Sequence, residues 1–341
     1  MSNLQQQILD LVKANWEVSY SDLKQAFSQI HESTLTRNLK QLIEQGELKK
    51  KREGRHTFYF VKSKLEEFFD QPVWQRPKVT YNPDFVRSYQ PGKTFFLSKQ
   101  NLQKLEKSVR YLPLNTDFYK TNKRFLERQL IDLSFASSYL EGNTYSYLDT
   151  EVLLKYSEIN KQKSREETQM ILNHKKAIEH LIFYKSDLDF SQKTFFEVHQ
   201  LLGEGLLPSH QLWILRKWPV QIWWSTYQPP QTQAQLQQEF EIFLQKLNQI
   251  KNPFEQSFFI MVFLPYFQLF HDVNKRLSRI IGNFPLIKHN LPVLSLLKVP
   301  KKQYILAILA IYELKDVKPL EQIWTQNYLS NLENYKLLLE G

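Results

Sequence analysis

The chain has 341 residues, 42% hydrophobic and 14% aromatic, with a formal net charge of +10 and no cysteine. That size suits one large core with a small satellite domain; the missing cysteine excludes disulfides, thiolate nucleophiles and Cys-ligated zinc, and the 8 glycines form no Walker or Rossmann pattern. The longest apolar run, residues 258–267, is too short to cross a membrane and the first residues carry no signal-peptide pattern, so a soluble, cytoplasmic protein with no membrane partner is expected, its positive charge suited to nucleic acid or nucleotide phosphates.

In chain order, residues 5–14 place Ile8, Leu9, Leu11 and Val12 on one side of a short amphipathic helix. Ser21 is a candidate N-cap for a second helix over 22–28. Residues 32–45 bring Leu35, Leu39, Leu42 and Ile43 to one face of a third helix and Thr34, Arg37, Asn38 and Lys40 to the other. Gly46 suits the C′ position that closes it. Glu53-Gly54 turns a hairpin in which Phe58 and Phe60 alternate with Tyr59 and Val61. Three helices followed by a basic hairpin make residues 1–62 a winged helix-turn-helix domain. Such a domain reads DNA with its third helix, here Thr34, Arg37, Asn38 and Lys40, and braces the backbone with its wing, here Lys50, Lys51, Arg52 and Arg55. The same fold serves as a protein-docking module, in which case the charged hairpin only protects a sheet edge.

Residues 63–80, with Pro72 and Pro77 after the acidic pair Glu66-Glu67, read as a linker or as the start of the second domain. Residues 81–341 read as one helical domain, with helices over about 99–110, 122–141, 149–157, 164–184, 191–203, 232–250, 254–270, 276–288, 301–313 and 318–338. Ser191 and Thr232 are candidate N-caps, and Pro319 sits in the first turn of the last helix, where its missing N–H costs nothing. Residues 254–270 are apolar nearly all round, the mark of a helix at the centre of its domain, and Pro265 should kink it.

Directly after that helix comes Gln268-Leu269-Phe270-His271-Asp272-Val273-Asn274-Lys275-Arg276-Leu277-Ser278-Arg279. A loop that opens a helix offers free backbone N–H groups to an anion. Arg276 and Arg279, three apart, share a helix face and can reach one polyphosphate. Asp272 is a hard oxygen ligand of the kind that holds Mg²⁺ beside phosphates, and Asn274 can orient the loop or a phosphate. Arginine at a helix N-terminus opposes the helix dipole, and a bound anion would relieve that conflict. The plainer alternative is a capped, solvated turn.

The same segment resembles the Fic-family motif HPFxDGNGRxxR, in an Asn-Lys-Arg variant that is also similar to Doc toxins. Phe270, Asp272, Asn274, Arg276 and Arg279 match; Val273 and Lys275 replace the two glycines, and Gln268 replaces the histidine. Further segments agree in order. The run SSYLEGN, from Ser137 through Glu141 to Asn143, resembles the (S/T)xxxE(G/N) inhibitory helix, and its position ahead of the core resembles the class with an N-terminal inhibitory helix, here about 122–141. Arg216, Val220 and Ile222, then Ser225, Tyr227 and Pro229-Pro230, resemble the flap that holds a target chain by strand addition. Lys93 to Leu97, and Asp316 with Pro319-Leu320, are similar to the two ends of that domain. The resemblance implies a mainly α chain, an all-helical Fic (Fido) domain with a short β-hairpin flap, preceded by the winged helix.

It also implies ATP with Mg²⁺ as the ligand. Asp272 would hold the metal, and Asn274, Lys275 and Arg276 the α- and β-phosphates. Arg279 would reach the γ-phosphate, or Glu141 when the site is shut, with Ser137 and Glu141 as the inhibitory residues. A target protein would lie along the flap, and Fic members often pair, so a homodimer is a further possible partner. Active Fic proteins transfer AMP from ATP to a Ser, Thr or Tyr hydroxyl whose proton the family histidine takes. Gln268 has no titratable proton and cannot act as that base. His271, three residues on, is expected to point away from the target. Val273 in a position that favours φ > 0 predicts a reshaped phosphate loop, and Trp223 and Trp224 stand where the flap usually has a small residue. Three functions are compatible: a catalytically impaired nucleotide-binding regulator that binds DNA, which the lost histidine favours; a protein adenylyltransferase or related phosphotransferase working without histidine; and a protein-docking module.

Overall fold

Apolar spacing accounts for the first of two units, Met1–Gln75. The computed structural model describes residues 2–15, 17–61, 64–110, 112 and 122–340; residues 62 and 63, at the edge of the expected linker, lie outside the described residues. The unit runs α1 (Asn3–Asn15), β1 (Glu17–Ser19), α2 (Tyr20–Ala26), α3 (Glu32–Glu44), β2 (Lys49–Glu53), β3 (His56–Phe60) and α4 (Lys64–Phe69). Strand β3 lies between β1 and β2 and is antiparallel to both. Ile8, Leu9, Val12, Leu23, Leu35, Leu39 and Leu42 form its core; truncating one of them to alanine costs about 2–5 kcal/mol. Helix α3 closes at Gly46, φ +77, where the N–H groups of Gly46 and Glu47 donate to Ile43 O and Leu42 O, as a Schellman motif requires. Ser19, not Ser21, caps α2, accepting from Asp22 N at 3.1 Å.

Two residues of the expected DNA face are engaged elsewhere. Asn38 is buried on the α1 side of α3, and its amide donates to Thr34 O at 2.8 Å. Polar helical spacing could not separate it from its exposed neighbours, because a back-bonded asparagine satisfies itself. Lys51 pairs with Glu17 at 2.7 Å across the sheet. Arg37, Lys40, Lys50, Arg52 and Arg55 are exposed, and Thr34 is half-buried.

The second unit begins at Arg76, inside the segment read as linker. Arg76 is buried, donating to both oxygens of Glu313 at 2.8 and 2.9 Å and to Trp224 O at 2.7 Å. Strand β4 (Val79–Thr80) then pairs in parallel with β5 (Tyr227–Gln228). Residues 76–80 are therefore an integral strip of this unit. A short α5 (Asp84–Arg87) and α6 (Lys99–Val109) precede α7 (Lys123–Leu140), α8 (Tyr147–Tyr156), α9 (Arg165–Phe183), α10 (Gln192–Gly203), α11 (Gln233–Gln249) and α12 (Pro253–Phe267). After α12 come α13 (Asn274–Ile281), α14 (Phe284–Lys288), α15 (Lys301–Leu309) and α16 (Lys318–Glu340).

Helix α12 is buried from Phe254 to Phe267 and packs against α11, α13 and α14. Asn252 caps it, accepting from Phe254 N and Glu255 N, with Pro253 in the first turn. Thr232 caps α11 through Gln235 N, whereas Ser191 stands at the N-cap of α10 without a side-chain bond. The single helix expected over 276–288 is two, broken after Ile281 at Gly282-Asn283, because Pro285 has no N–H to continue the ladder. Helix α15 widens into a π turn, Ala310–Leu314, which carries Tyr312 and Glu313; such turns recur at functional sites.

Candidate functional site

Helix α12 delivers the chain to its loop in a sharp reversal. Gln268 closes the helix in the left-handed region, φ +51, donating its N–H to Leu264 O. Val273 opens α13 at φ +72. The reshaped loop expected from Val273 is thus a loop that keeps the left-handed turn with a β-branched residue in it, a strained conformation that the burial of its side chain, 1% exposed, holds in place. His199 of α10 supports the loop from behind. It stacks on Phe270 at 3.7 Å and donates from Nε2 to Asp272 O at 3.3 Å. Burial holds its ring down to about 4, so it is neutral with Nε2–H as the donor.

Gln268, at the position of the motif histidine, is held on both ends of its amide. Nε2 donates to Pro265 O at 2.7 Å and to Tyr312 Oη at 3.1 Å, and Oε1 accepts from Asn274 Nδ2 at 3.2 Å. Asn274 faces inward as well: Oδ1 accepts from Phe270 N at 2.9 Å, and Nδ2 donates to Phe270 O at 2.8 Å. Of the two expected roles, orienting the loop or a phosphate, the side chain fills the first, as a clasp across the loop. The side chain has the reach to close the loop on itself, and burial leaves those backbone groups no water.

Arg276 is buried and donates to Asp272 Oδ2 at 3.0 Å, while Asp272 Oδ1 accepts from Val273 N at 2.5 Å. The Asp272 side chain is 63% exposed. The Arg276 Nε is buried with no hydrogen-bond partner. Arg279 is buried entirely. Nε donates to Ser137 Oγ at 3.0 Å, Nη2 to Ser137 O at 3.0 Å and to Glu141 Oε1 at 2.8 Å, and Nη1 to Tyr304 Oη at 3.1 Å.

Glu141 caps the C-terminus of α7. The N–H groups of Gly142 and Asn143 donate to Tyr139 O and Ser138 O, a second Schellman turn with Gly142 at φ +99. A carboxylate at a helix C-terminus is disfavoured by the dipole. Here Arg279 and Lys275, the latter at 3.3 Å, compensate. Burial raises the Glu141 carboxyl, but Arg279, Lys275 and Arg276 outweigh it and hold the group at about 2. The expected Ser137–Glu141–Arg279 grouping is one buried cluster, and Lys275 joins it.

The flap differs from the expected hairpin. Of residues 216–230 only Tyr227–Gln228 form a strand, and their partner is Val79–Thr80 rather than a second arm of the flap. Pro219, Pro229 and Pro230 remove ladder donors. Three residues expected to face a target are internal anchors instead. Arg216, 1% exposed, donates from Nε to Gln268 O at 2.6 Å, from Nη1 to Trp218 O at 2.9 Å and from Nη2 to Pro230 O. Ser225 donates to Glu313 Oε1 at 2.8 Å, and Tyr227 donates to Tyr266 O at 2.8 Å. Val220 and Ile222 are half-buried, and Trp223 and Trp224 are 86% and 76% exposed.

These parts enclose a cavity of about 570 Å³ lined by Glu141, Lys275, Asp272 and Gln268 on one side and by Ile222, Trp224 and Ile308 on another, with Lys301 at its edge. His271, expected to face away, contributes to its wall. Its ring is lowered by burial and by Arg216 and His210. The cavity sets charged side chains of both signs, Lys275 and Lys301 with Glu141 and Asp272, beside an apolar wall, the mixture of a few polar groups with apolar lining that small-molecule sites use. Among the described residues no cluster of three His, Cys, Asp or Glu side chains could hold a metal alone. Sequence reasoning missed Arg76, His174, His199, Lys301, Tyr304, Tyr312 and Glu313. Only the polar residue in the helical run 301–313 gave any signal, since a glutamate among apolar neighbours needs a partner.

No protein-family model and no curated protein matches the sequence. Solved structures do match in shape. A Fic family protein from Desulfovibrio desulfuricans aligns with a TM-score of 0.60 at 19% identity, covering 74% of this chain and 78% of that one. A Fic domain containing signaling protein from Bacteroides thetaiotaomicron aligns at 0.58 and 17% identity, covering 71% and 97%. Residues 134–508 of Fic-1 from C. elegans align at 0.56 and 16% identity, covering 75% and 71%. The chain is mainly helical and has the Fic fold. No helix among the described residues is long and apolar enough to cross a membrane.

Proposed function

We propose that the chain is a nucleotide-binding regulator built on a Fic fold, with its hydroxyl-transfer chemistry disabled and a winged helix that binds DNA. The observation that carries this is Gln268. Its amide has no titratable proton, and its donors and acceptor are spent on Pro265, Tyr312 and Asn274. A group so engaged positions the loop and takes no proton from a target hydroxyl. Base catalysis typically contributes about 10²–10⁴-fold, so its loss leaves binding ahead of turnover.

Mg²⁺ and ATP fit the residues present. The first N–H groups of α13, which lack intrahelical partners, suit phosphate oxygens. Lys275 and Lys301 add charge at the cavity. The exposed carboxylate of Asp272 suits a metal held by one protein ligand and phosphates, and the ion would neutralise phosphate charge there. The Glu141–Arg279 pair, with Lys275, keeps a third phosphate out. In the first unit, the exposed Arg37, Lys40, Lys50, Arg52 and Arg55 support phosphate contact on one side of the third helix and along the ribbon.

Transfer from α-labelled ATP tests the reading. Glu141→Gly carrying Gln268 is expected to label nothing, and Glu141→Gly with Gln268→His to label protein. Label from the form that keeps Gln268 would sink the proposal. DNA binding is tested by titration at several salt concentrations, with affinity expected to fall linearly in log–log form; a flat response removes the DNA half.

A further inference from the structure

Beneath Ser137 lies a buried imidazole that the transfer motif does not use. His174, on α9, is 1% exposed. Its Nδ1 faces Met170 O at 2.7 Å and its Nε2 faces Ser137 Oγ at 2.9 Å. A carbonyl only accepts, so the ring proton sits on Nδ1 and Nε2 is an acceptor. The Ser138 hydroxyl, 3.3 Å from Nδ1, lies against the same N–H. Ser137 has one hydroxyl proton, and Nε2 takes it. The lone pairs of Oγ are then turned to Arg279 Nε at 3.0 Å. Burial, with Arg276 and Arg279 nearby, holds the ring down to about 3, so this neutral arrangement persists at any ordinary pH.

Arg279 is not among the residues that line the cavity. Its partners are Glu141, Tyr304 and both the carbonyl and the hydroxyl of Ser137; the Ser137 hydroxyl is the one whose direction His174 sets. We infer that His174 is the positioning residue of this latch: through the Ser137 hydroxyl it holds Arg279 against Glu141 and out of the cavity. The inference rests on reading the Glu141–Arg279 pair as the latch of a nucleotide site. It adds a residue 33 positions beyond Glu141, on a different helix, that neither the motif nor its spacing contains.

Two substitutions separate position from packing. His174→Phe keeps the ring and removes both polar atoms; His174→Gln keeps one donor and one acceptor. Calorimetric titration with Mg–ATP is expected to show affinity about 3- to 10-fold tighter for the Phe variant, the scale of one hydrogen bond, and within about 2-fold of the parent for Gln. In a Ser137→Ala background His174→Phe adds nothing further. Equal effects of Phe and Gln, no effect of Phe, or an undiminished effect without the hydroxyl overturns the inference. NMR of the full chain decides it without nucleotide. The His174 ring should show a protonated Nδ1 and a bare Nε2, and the Arg279 Nε–H should exchange slowly in the parent and Gln forms and rapidly in Phe. The opposite tautomer overturns the inference even if the Phe variant does not fold. If Glu141→Gly fails to bind ATP, the nucleotide reading is lost, and the Arg279 signal still tests His174.

Discussion

Replacing Glu141 by glycine strips the counter-ion from a buried guanidinium. Arg279 is 3% exposed and holds Glu141 at 2.8 Å; breaking a buried pair on one side costs about 3–5 kcal/mol. Titration gives a second figure. The carboxyl sits at about 2 against an ordinary 4.5, and at about 1.4 kcal/mol per pH unit that drop is worth roughly 3 kcal/mol. The lower bound of the first agrees with the second. In a domain of this size each kcal/mol moves Tm by about 2–4 °C, so the variant should melt about 6–12 °C below the parent at pH 7. Because the folded carboxyl titrates below its unfolded value, this stability is complete above 4.5 and fades as pH falls toward about 2. The two melting curves therefore converge in acid. Mg–ATP at about 100 times its Kd returns about 2.7 kcal/mol to the variant, and less to the parent, whose Arg279 is occupied. Differential scanning fluorimetry with and without Mg–ATP reads all of this. A variant that melts with the parent at pH 7 would refute the reasoning, because Glu141 would then be a solvated helix end.

Arg216→Lys is expected to destabilise the second unit by about 2–4 kcal/mol, since one ammonium cannot serve three carbonyls on separate stretches; denaturant midpoints check it, and limited proteolysis should cut first within residues 217–224. Burial pulls His174 and His199 down to about 3 and about 4 from 6.5. The unfolded chain therefore binds protons that the native one refuses, and stability should fall as pH drops below 6.5; urea midpoints at pH 7.5, 6.5 and 5.5 measure the slope, which His174→Gln flattens. Asn38→Ala should lower the stability of the first unit by about 1 kcal/mol and leave DNA affinity alone. Arg52→Ala and Arg55→Ala should each reduce the slope of log affinity against log salt by about one.

Apolar periodicity was enough to find most helices, because it is a local signal. Helix α12 announces itself by having no polar face, and Thr232 and Pro319 mark helix starts by their own chemistry. The contact of Ser137 and Glu141 with Arg279 was legible only through resemblance: nothing in the spacing of Ser137 and Glu141 says that their partner is Arg279. What failed were the polar residues whose burial depends on distant groups. Arg216, Ser225 and Tyr227 look like a polar strand face until Gln268 O, Glu313 and Tyr266 O are brought beside them. Asn274 left two roles open, loop or phosphate, until the loop folded back onto its amide. The break at 282–283 is the local exception, where Pro285 overrides apolar spacing.

Glu141 and Arg279 pair across 138 residues of chain, Arg76 meets Glu313 across 237, and Gln268 leans on Tyr312 across 44. A growing polypeptide that has emerged as far as residue 300 has made the loop and α7, yet it lacks Tyr304, Tyr312 and Glu313. The cavity is thus among the last features to form during synthesis, since long-range closure waits on both ends of each pairing. A chain ending there offers Lys275 without Lys301 and without the wall that surrounds both. Ligand capture at this site reports a finished molecule, and its appearance in a refolding time course should coincide with the slowest native signal.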